Sequence, residues 1–355
     1  MEESIRKRVC RAIEGGVFPG GVVGIVNRAG ERWVMPFGRF TFEGTSPIVK
    51  EDSLYDVASI TKSIPTASVA LKLIDEELLH LGDNVLRFIP ELASSHRDRV
   101  KVWHLLTHTL RFSYRLSAYR DLSAEAILNT LFSKELEEPP GSSFSYSNGA
   151  SILLGMLIER VSKTRLDLLA DKLFFKPLKM QNTGFYPLHL CEKEQIVPTE
   201  IDPWRNRVIQ GEVHDESAYT LRSTIIPGSA GLFSTVPDLL SFLQMLLEGG
   251  ILKGRRFFSE SIVKQIHTNQ IGSIGGCTGL GWELAQRSFM GLRCSEHTIG
   301  KTGFTGCSCV CDMVQGVGIV LLSNYTFPRR KPTREPIDLM RREIADIAFE
   351  YHRKR

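Results

Sequence analysis

The sequence lacks a long uninterrupted apolar run, so it offers no candidate for a helix that spans a membrane. The longest such stretch, GVGIVLL at 316–322, suits a buried strand, whereas a membrane span needs about 20 residues. The N-terminal stretch MEESIRKRVCRAIEGG also has no apolar signal core. The compartment therefore stays open: extracytoplasmic if a leader was removed, cytoplasmic if the chain is complete.

The chain also lacks a strong excess of charge of either sign. Its 355 residues carry 44 basic and 40 acidic side chains, a formal net charge of +4, and this near balance does not call for a nucleic-acid partner. Hydrophobic residues make up 42% and charged residues 24%, which is ordinary for a soluble globular protein. The length allows one large domain or two interleaved ones with a sizeable core.

Cysteine is scarce, and its spacing is not that of a disulfide framework. The seven cysteines are odd in number and have no close paired spacing. Cys307, Cys309 and Cys311 alternate, so on a strand they share one face. Because the chain has no CxxC and no matching histidine pair, the pattern favours small buried core residues over a metal site.

The histidine patterns do not indicate a metal site either. His104 and His108 are four residues apart, but HLLTH lacks the glutamate of the zinc-protease HExxH pattern, so packing or capping is predicted. The cluster HDE at 214–216 is assigned a structural or cleft-edge role rather than metal ligation. His297 is predicted to be a loop residue rather than a base.

Hydrophobic periodicity predicts strands at both ends of the chain and helices in the middle. The strand-like runs lie at 20–26, 32–38, 278–285, 307–314 and 316–324. The helical runs are 3–15, about 59–76 with a bend near Pro65, 102–110, 123–136, 148–163, a run opened by Ser234 or Thr235 and closed by Gly249, and one at the C-terminus. This order predicts an α/β domain formed by 1–65 and 222–355, with a mostly helical domain, 66–221, inserted between them.

The stretch VASITKS at 57–63 places Ser59 and Lys62 one helical turn apart. A neutral lysine can take the proton of a neighbouring serine when burial and nearby positive charge lower the pKa of its amine. The spacing is weak evidence alone, because Ser4 and Lys7, and Ser261 and Lys264, repeat it in polar helices. Lys62 differs, since it is followed by the apolar run SIPTASVALKLI, where a charge needs a partner or a function.

Two further motifs follow in order along the chain. YSN at 146–148 contains Tyr146 and Asn148, and KTGFTG at 301–306 precedes a strand-like run. Each is ambiguous alone: the first also fits a turn with a helix cap, and the second a glycine-rich turn at a strand. Together with Ser-x-x-Lys they form a strong signal.

This triple resembles that of serine β-lactamases and penicillin-binding proteins. With a tyrosine in its second triplet, the sequence resembles the class C branch of this family. That branch includes class C β-lactamases, D,D-carboxypeptidases and related esterases. The resemblance extends through further stretches of the chain: VFPGGVVGIV, WHLLTHT, FSYSNGASILLGMLIERVSKT, KPLKMQNTGFY, AGLFSTVPDLLSF and GLGWEL. It implies a β-lactamase/transpeptidase-like fold, with an antiparallel sheet flanked by helices and the active site in the cleft beside the helical domain.

The resemblance also implies a role for each motif residue. Ser59 would form an acyl-enzyme, Lys62 would help to remove its proton, and Tyr146 would shuttle protons. The substrate would be held by Asn148 at its amide side chain, by Lys301 and Thr302 at a carboxylate, and by Gly303 along its backbone. The backbone N–H groups of Ser59 and Phe304 would form the oxyanion hole. No cofactor and no metal are implied.

The resemblance leaves the substrate open. Tyr-Ser-Asn, rather than Tyr-Ala-Asn, favours a D,D-carboxypeptidase acting on D-Ala-D-Ala stem peptides, with β-lactams as substrates or inhibitors. A class C-like β-lactamase, a carboxylesterase on the same fold and a slowly deacylating penicillin-binding sensor are the alternatives. Leu110 and Arg111 stand where many relatives have Ser-Gly, and this departure puts the substrate preference in doubt. A monomer is expected.

Overall fold

A computed structural model describes residues 1–93 and 95–354. Ser94, in the predicted helical insertion, and Arg355, the last residue of the predicted sheet domain, lie outside the described residues. The strands are β1 Gly20–Asn27, β2 Arg32–Gly38, β3 Tyr55–Asp56, β4 Glu200–Asp202, β5 Arg207–Ile209, β6 Phe233–Ser234, β7 Ile251–Leu252, β8 Arg255–Arg256, β9 Glu283–Leu284, β10 Thr298–Thr302, β11 Ser308–Asp312 and β12 Val317–Ser323.

The α-helices lie at the chain ends and in its middle. They are α1 Glu2–Glu14, α2 Ser68–Asp75, α3 Val102–Thr107, α4 Ala124–Ser133, α5 Asn148–Ser162, α6 Leu166–Ala170, α7 Glu216–Leu221, α8 Val236–Leu247, α9 Glu260–Ile266, α10 Arg287–Met290 and α11 Glu335–Arg353. None of the described helices combines the length and the apolar character that a membrane crossing requires.

Six strands form one antiparallel sheet in the order β2-β1-β12-β11-β10-β9. Its two faces are covered by different helices: Val23 and Ile25 of β1 join the core under α1 and α11, whereas Val22 and Val26 join the core under α8. A strand buried on both faces needs apolar residues in both alternating sets. The predicted α/β fold, an antiparallel sheet flanked by helices, is confirmed.

Between residues 68 and 221 the elements are α2–α7 and the β4–β5 hairpin. This segment separates the N-terminal strands from the C-terminal strands of the sheet, which agrees with the predicted order of elements. The division into two domains at 65/66 and 221/222 stays a prediction.

The predicted helix 59–76 begins differently from a regular α-helix. A short 3₁₀ turn spans Ala58–Lys62, and α2 starts only at Ser68. Between them Ile64 has φ −120° and ψ 108°, because the ring of Pro65 disfavours a helical conformation in the preceding residue. The predicted bend near Pro65 is therefore present, and it separates the Ser59 turn from α2.

The predicted strand 278–285 is much shorter in the structure, where only Glu283 and Leu284 form β9. The preceding segment folds into a turn instead: the N–H of Gly279 and the hydroxyl of Thr278 both donate to the carbonyl oxygen of Trp282, at 2.9 and 2.8 Å. These bonds use groups that a longer strand would have paired with its neighbour.

All seven cysteines are free thiols, and Cys307, Cys309 and Cys311 are fully buried.

Candidate active site

Ser59 lies on the 3₁₀ turn Ala58–Lys62, directly after β3. The turn starts with Ala58 at φ 47°, in the left-handed region, a conformation that costs a non-glycine residue free energy. Asp56 stabilises it, because its Oδ1 accepts a hydrogen bond from the N–H of Ala58 at 2.8 Å. Ser59 itself is partly exposed, so its hydroxyl is accessible from the cleft.

Lys62 is buried beneath Ser59, with 3% of its surface exposed. Its Nζ lies 2.9 Å from Ser59 Oγ and 2.7 Å from the carbonyl oxygen of Ser229. Burial lowers the pKa of Lys62, and the charge of Lys301 lowers it further, although Tyr146 partly opposes this. The amine is therefore shifted towards its neutral form, in which it accepts a proton.

Tyr146 lies between two lysines. Its ring centroid is 5.2 Å from Lys62 Nζ and 4.4 Å from Lys301 Nζ. Although 45% of the residue is exposed, its hydroxyl end is enclosed, and this burial raises the pKa of Tyr146. The positive charges of Lys301 and Lys62 and a hydrogen bond with Ser59 outweigh burial and lower the pKa. A phenol in this field can exchange protons with both Ser59 and Lys62.

Lys301 occupies β10, next to β9, and is 1% exposed. Its Nζ forms an ion pair with Glu283 Oε1 at 3.0 Å. Burial lowers the pKa of Lys301, but interactions with Tyr146 and Glu283 raise it above its ordinary value. Lys301 is therefore kept charged, in contrast to Lys62, and this difference gives the two lysines of the site different chemistry.

The end of β10 and the turn after it carry three of the predicted residues, Thr302, Gly303 and Phe304. Arg334 Nη2 donates to Thr302 Oγ1 at 3.0 Å. The backbone N–H of Phe304 has no acceptor among the described residues. A Cβ at Gly303 would lie 2.4 Å from the carbonyl oxygen of Val57, so this turn approaches the Ser59 segment closely. The contact of Gly303 with the substrate backbone stays a prediction.

A cavity of about 390 Å³ opens at Ser59. Its walls combine predicted and unpredicted residues, among them Ser59, Tyr146, Glu283, Thr302, Phe304 and Arg334. A second cavity of about 590 Å³ shares Tyr146 with the first and is lined by residues 112–117 and Asn148. The loop that follows Leu110 and Arg111 therefore borders a cavity that adjoins the one at Ser59.

Asn148 is the first residue of α5, and only the NH₂ group of its side-chain amide is hydrogen-bonded within the described residues. Its Nδ2 donates to Asp215 Oδ2 at 3.1 Å and to Ser217 Oγ at 3.3 Å. The amide oxygen of Asn148 is thus left as a hydrogen-bond acceptor at the second cavity.

Several histidines occupy positions that the sequence could only partly predict. His104 Nδ1 accepts from the N–H of Lys101 at 2.9 Å at the start of α3, as predicted for a cap. His297 is exposed beside His267, with ring centroids 5.2 Å apart. His214 is buried, and its ring lies 4.8 Å from that of Phe304, which fits the predicted structural or cleft-edge role.

Four residues make contacts in the site that no sequence pattern assigned to them. Glu283 and Asp215 lie inside stretches that were quoted, GLGWEL and the HDE cluster, but no local spacing links them to Lys301 or Asn148. Arg334 has no sequence signal. His108 is buried with its ring 4.9 Å from the ring of Tyr146, and burial together with the charges of Lys301 and Lys62 holds the pKa of His108 well below its usual range.

Comparisons with known proteins agree with this geometry. The family model described as Beta-lactamase matches residues 5–339. A protein of Escherichia coli (strain K12) named "Putative D-alanyl-D-alanine carboxypeptidase" is 31% identical over 315 residues, which cover 80% of this chain and 72% of that protein.

Solved structures show the same fold at lower identity. A mutant simvastatin synthase from Aspergillus terreus matches with a TM-score of 0.77 and 18% sequence identity. The match covers 99% of this chain and 97% of the synthase chain. EstCE1, described as a hydrolase with promiscuous acyltransferase activity, has a TM-score of 0.74 and 22% identity, with 95% and 98% covered. On the family match and the identity to the Escherichia coli relative, the chain belongs to the β-lactamase family and is a serine hydrolase.

Proposed function

We propose that this serine hydrolase forms an acyl-enzyme at Ser59 and acts on D-Ala-D-Ala peptides, on β-lactams or on both. The observation that carries the proposal is the distance of 2.9 Å between Lys62 Nζ and Ser59 Oγ, at a lysine whose pKa is lowered by burial. A hydroxyl beside a base of this kind is an activated nucleophile.

Acylation follows from the arrangement of the proton acceptors. Ser59 Oγ attacks the substrate carbonyl carbon and forms a C–O bond, while its proton passes to the Lys62–Tyr146 pair. The carbonyl oxygen becomes an oxyanion that accepts hydrogen bonds from the N–H groups of Ser59 and Phe304. When this intermediate collapses, the C–N bond breaks, and the leaving nitrogen takes a proton from Tyr146.

Deacylation uses the same groups in the reverse direction. A water oxygen attacks the ester carbon and gives its proton to Tyr146, so a second tetrahedral intermediate forms. The C–O bond to Ser59 then breaks, and Ser59 Oγ recovers the proton. The product acid leaves, and the enzyme returns to its starting protonation state.

One donor group at the first cavity supports a substrate that carries a carboxylate, although Glu283 and Asp338 also line this cavity. The guanidinium of Arg334 donates to Thr302 Oγ1 at 3.0 Å, and Lys301 precedes Thr302 on β10. A substrate carboxylate at this position replaces the Thr302 hydroxyl as the acceptor for Arg334. The planar guanidinium of Arg334 matches the geometry of a carboxylate. The free amide oxygen of Asn148 is suited to a substrate N–H on the acyl side. The name of the Escherichia coli relative is consistent with this substrate class.

The test compares kcat/KM for diacetyl-L-Lys-D-Ala-D-Ala with kcat/KM for p-nitrophenyl acetate, which has no carboxylate. Thr302→Val is expected to lower the peptide value by roughly 10–100-fold, because one hydrogen bond to a charged group is lost. The ester value is expected to stay close to that of the wild type. Equal losses on both substrates contradict the peptidase assignment.

One observation favours a carboxylesterase as the second candidate. The ion pair between Glu283 and Lys301, at 3.0 Å, offsets part of the positive charge that a substrate carboxylate would meet. Rapid Ser59-dependent ester cleavage without peptide cleavage would select this candidate. The lifetime of a penicillin adduct separates the other two alternatives, since a β-lactamase loses it quickly and a sensor retains it.

A further inference from the structure

Arg341 of α11 is a buried arginine that takes no direct part in the acyl transfer described above. It is 2% exposed, and its Nη2 donates to the main-chain carbonyl oxygens of Gly303 and Cys307, at 2.9 and 2.8 Å. Its Nη1 donates to Asp338 Oδ1 at 2.6 Å, which balances the buried charge. The guanidinium therefore connects α11 by hydrogen bonds to the turn that follows β10.

The carbonyl of Gly303 belongs to the same peptide unit as the N–H of Phe304. In a trans peptide the C=O and N–H bonds lie in one plane and point in opposite directions. The carbonyl oxygen of Gly303 accepts from Arg341 at 2.9 Å and from the N–H of Gly306 at 3.1 Å, and these two donors together set the direction in which the N–H points on the other side. This N–H has no acceptor among the described residues, and Phe304 lines the cavity at Ser59.

The contact also changes the strength of the N–H as a donor. A hydrogen bond from a charged group to a carbonyl polarises the whole peptide unit, because linked hydrogen bonds strengthen one another in a low-dielectric interior. The N–H then carries more positive charge towards the cavity, and its interaction with a developing negative charge becomes more favourable.

The side chain of Phe304 is held as well. Its ring centroid lies 4.8 Å from that of His214 and 5.0 Å from the guanidinium of Arg330. Both neighbours bind one carboxylate, since Glu200 Oε2 lies 2.7 Å from His214 Nε2 and 3.1 Å from Arg330 Nε. The peptide unit is thus fixed at its carbonyl by Arg341 and Gly306, and at its side chain by two residues that both contact Glu200.

We propose that Arg341 is a positioning residue, which orients and polarises the Gly303–Phe304 peptide so that its N–H stabilises the oxyanion formed at Ser59. The inference rests on the proposed acyl transfer at Ser59. It assigns to α11 a contribution to the stability of the transition state rather than to the binding of the substrate.

The test uses Arg341→Met, which has no donor, and Arg341→Lys, which retains charge with a single donor centre. Arg28→Met is the control, because Arg28, which is exposed, also donates to two main-chain carbonyls, those of Leu247 and Met313, both outside the three motifs. With p-nitrophenyl acetate, Arg341→Met is expected to lower kcat by roughly 10–100-fold. Arg341→Lys should lower kcat by a smaller factor, and KM should change little in both variants. The kcat of the Arg28→Met control should equal that of the wild type.

A second readout separates this role from a merely structural one. Phenylboronic acid forms a tetrahedral adduct with an active serine, and one of its oxygens occupies the position of the oxyanion. Its inhibition constant should rise across the variants by the same factor by which kcat/KM falls. A purely structural defect would instead lower the fraction of active protein without changing this constant, and active-site titration measures that fraction.

The outcomes separate failure of the inference from failure of the proposed function. Unchanged kcat and boronate affinity in both Arg341 variants overturn the positioning role, and so does a loss confined to KM. If Arg341→Met does not fold, Arg341→Lys decides alone by the same two readouts. If the Ser59→Ala variant cleaves the ester as fast as the wild type, the proposed function itself is overturned.

Discussion

The amine of Lys62 is fixed by two acceptors, Ser59 Oγ at 2.9 Å and the carbonyl oxygen of Ser229 at 2.7 Å. The second contact comes from a residue 167 positions along the chain, so the position of the base depends on tertiary packing and not on the turn alone. A base held in this way needs little rearrangement before proton transfer.

Replacing Lys62 tests its role as the base. Lys62→Ala is expected to lower the rate of Ser59 acylation by roughly 10²–10⁴-fold, the usual contribution of a general base. The measurement is the pre-steady-state release of p-nitrophenol from p-nitrophenyl acetate.

The chain supplies a matched control for this experiment. Lys264 has the same spacing from Ser261 but is exposed, so Lys264→Ala should acylate like the wild type. A comparable loss in both variants, or none in Lys62→Ala, would rule out Lys62 as the base.

The pH dependence of kcat/KM should respond in opposite directions to the two partners of the Lys301–Glu283 ion pair. In the proposed mechanism the deprotonated Lys62–Tyr146 pair is the active base, so the rate is expected to fall as pH drops below the pKa of the pair. The charge of Lys301 lowers the pKa of both members. Lys301→Met therefore raises the pKa, and the acidic limb should move to higher pH.

Glu283→Gln gives the second half of this prediction. The charge of Glu283 raises the pKa of Tyr146, so its removal should move the acidic limb to lower pH. The control is Lys264→Met, which should leave the limb in place. Shifts of the same sign in the Lys301 and Glu283 variants would show that charge at the phenol does not set the profile.

The sequence could predict the parts of the site that depend on local spacing. Ser59 and Lys62 face the same way because they are three positions apart, and the bend before α2 follows from the presence of Pro65. The alternation in β1 predicts a buried strand, since both alternating sets are apolar. These inferences need only the chain around each residue.

The missed contacts depend on which distant elements pack together. Glu283 reaches Lys301 because β9 pairs with β10, and Arg341 reaches Gly303 because α11 covers one face of the sheet. Hydrophobic periodicity indicates that a face is buried, but it does not identify the neighbour. Polar partners across such contacts are therefore not encoded in any short pattern.

The close approach of Gly303 to Val57 predicts that a side chain at position 303 lowers the stability of the protein. Gly303→Ala would place a Cβ 2.4 Å from the carbonyl oxygen of Val57, which precedes the Ser59 turn. Because backbone must shift to relieve the clash, the free energy of unfolding should fall by roughly 1–3 kcal/mol. Urea denaturation measures this change.

Gly44→Ala is the control for Gly303→Ala, since a Cβ at Gly44 has no heavy atom within 4 Å. Its free energy of unfolding should stay within about 0.5 kcal/mol of the wild type. If Gly303→Ala is as stable and as active as this control, the close approach of the two segments is not required.

The most direct test of acyl-enzyme formation at Ser59 is the intact mass of the protein after brief exposure to benzylpenicillin, with Ser59→Ala measured beside it. The account predicts a single penicilloyl adduct on the wild type and none on the variant. An adduct on both proteins, or neither an adduct nor Ser59-dependent turnover of penicillin and p-nitrophenyl acetate, would contradict it.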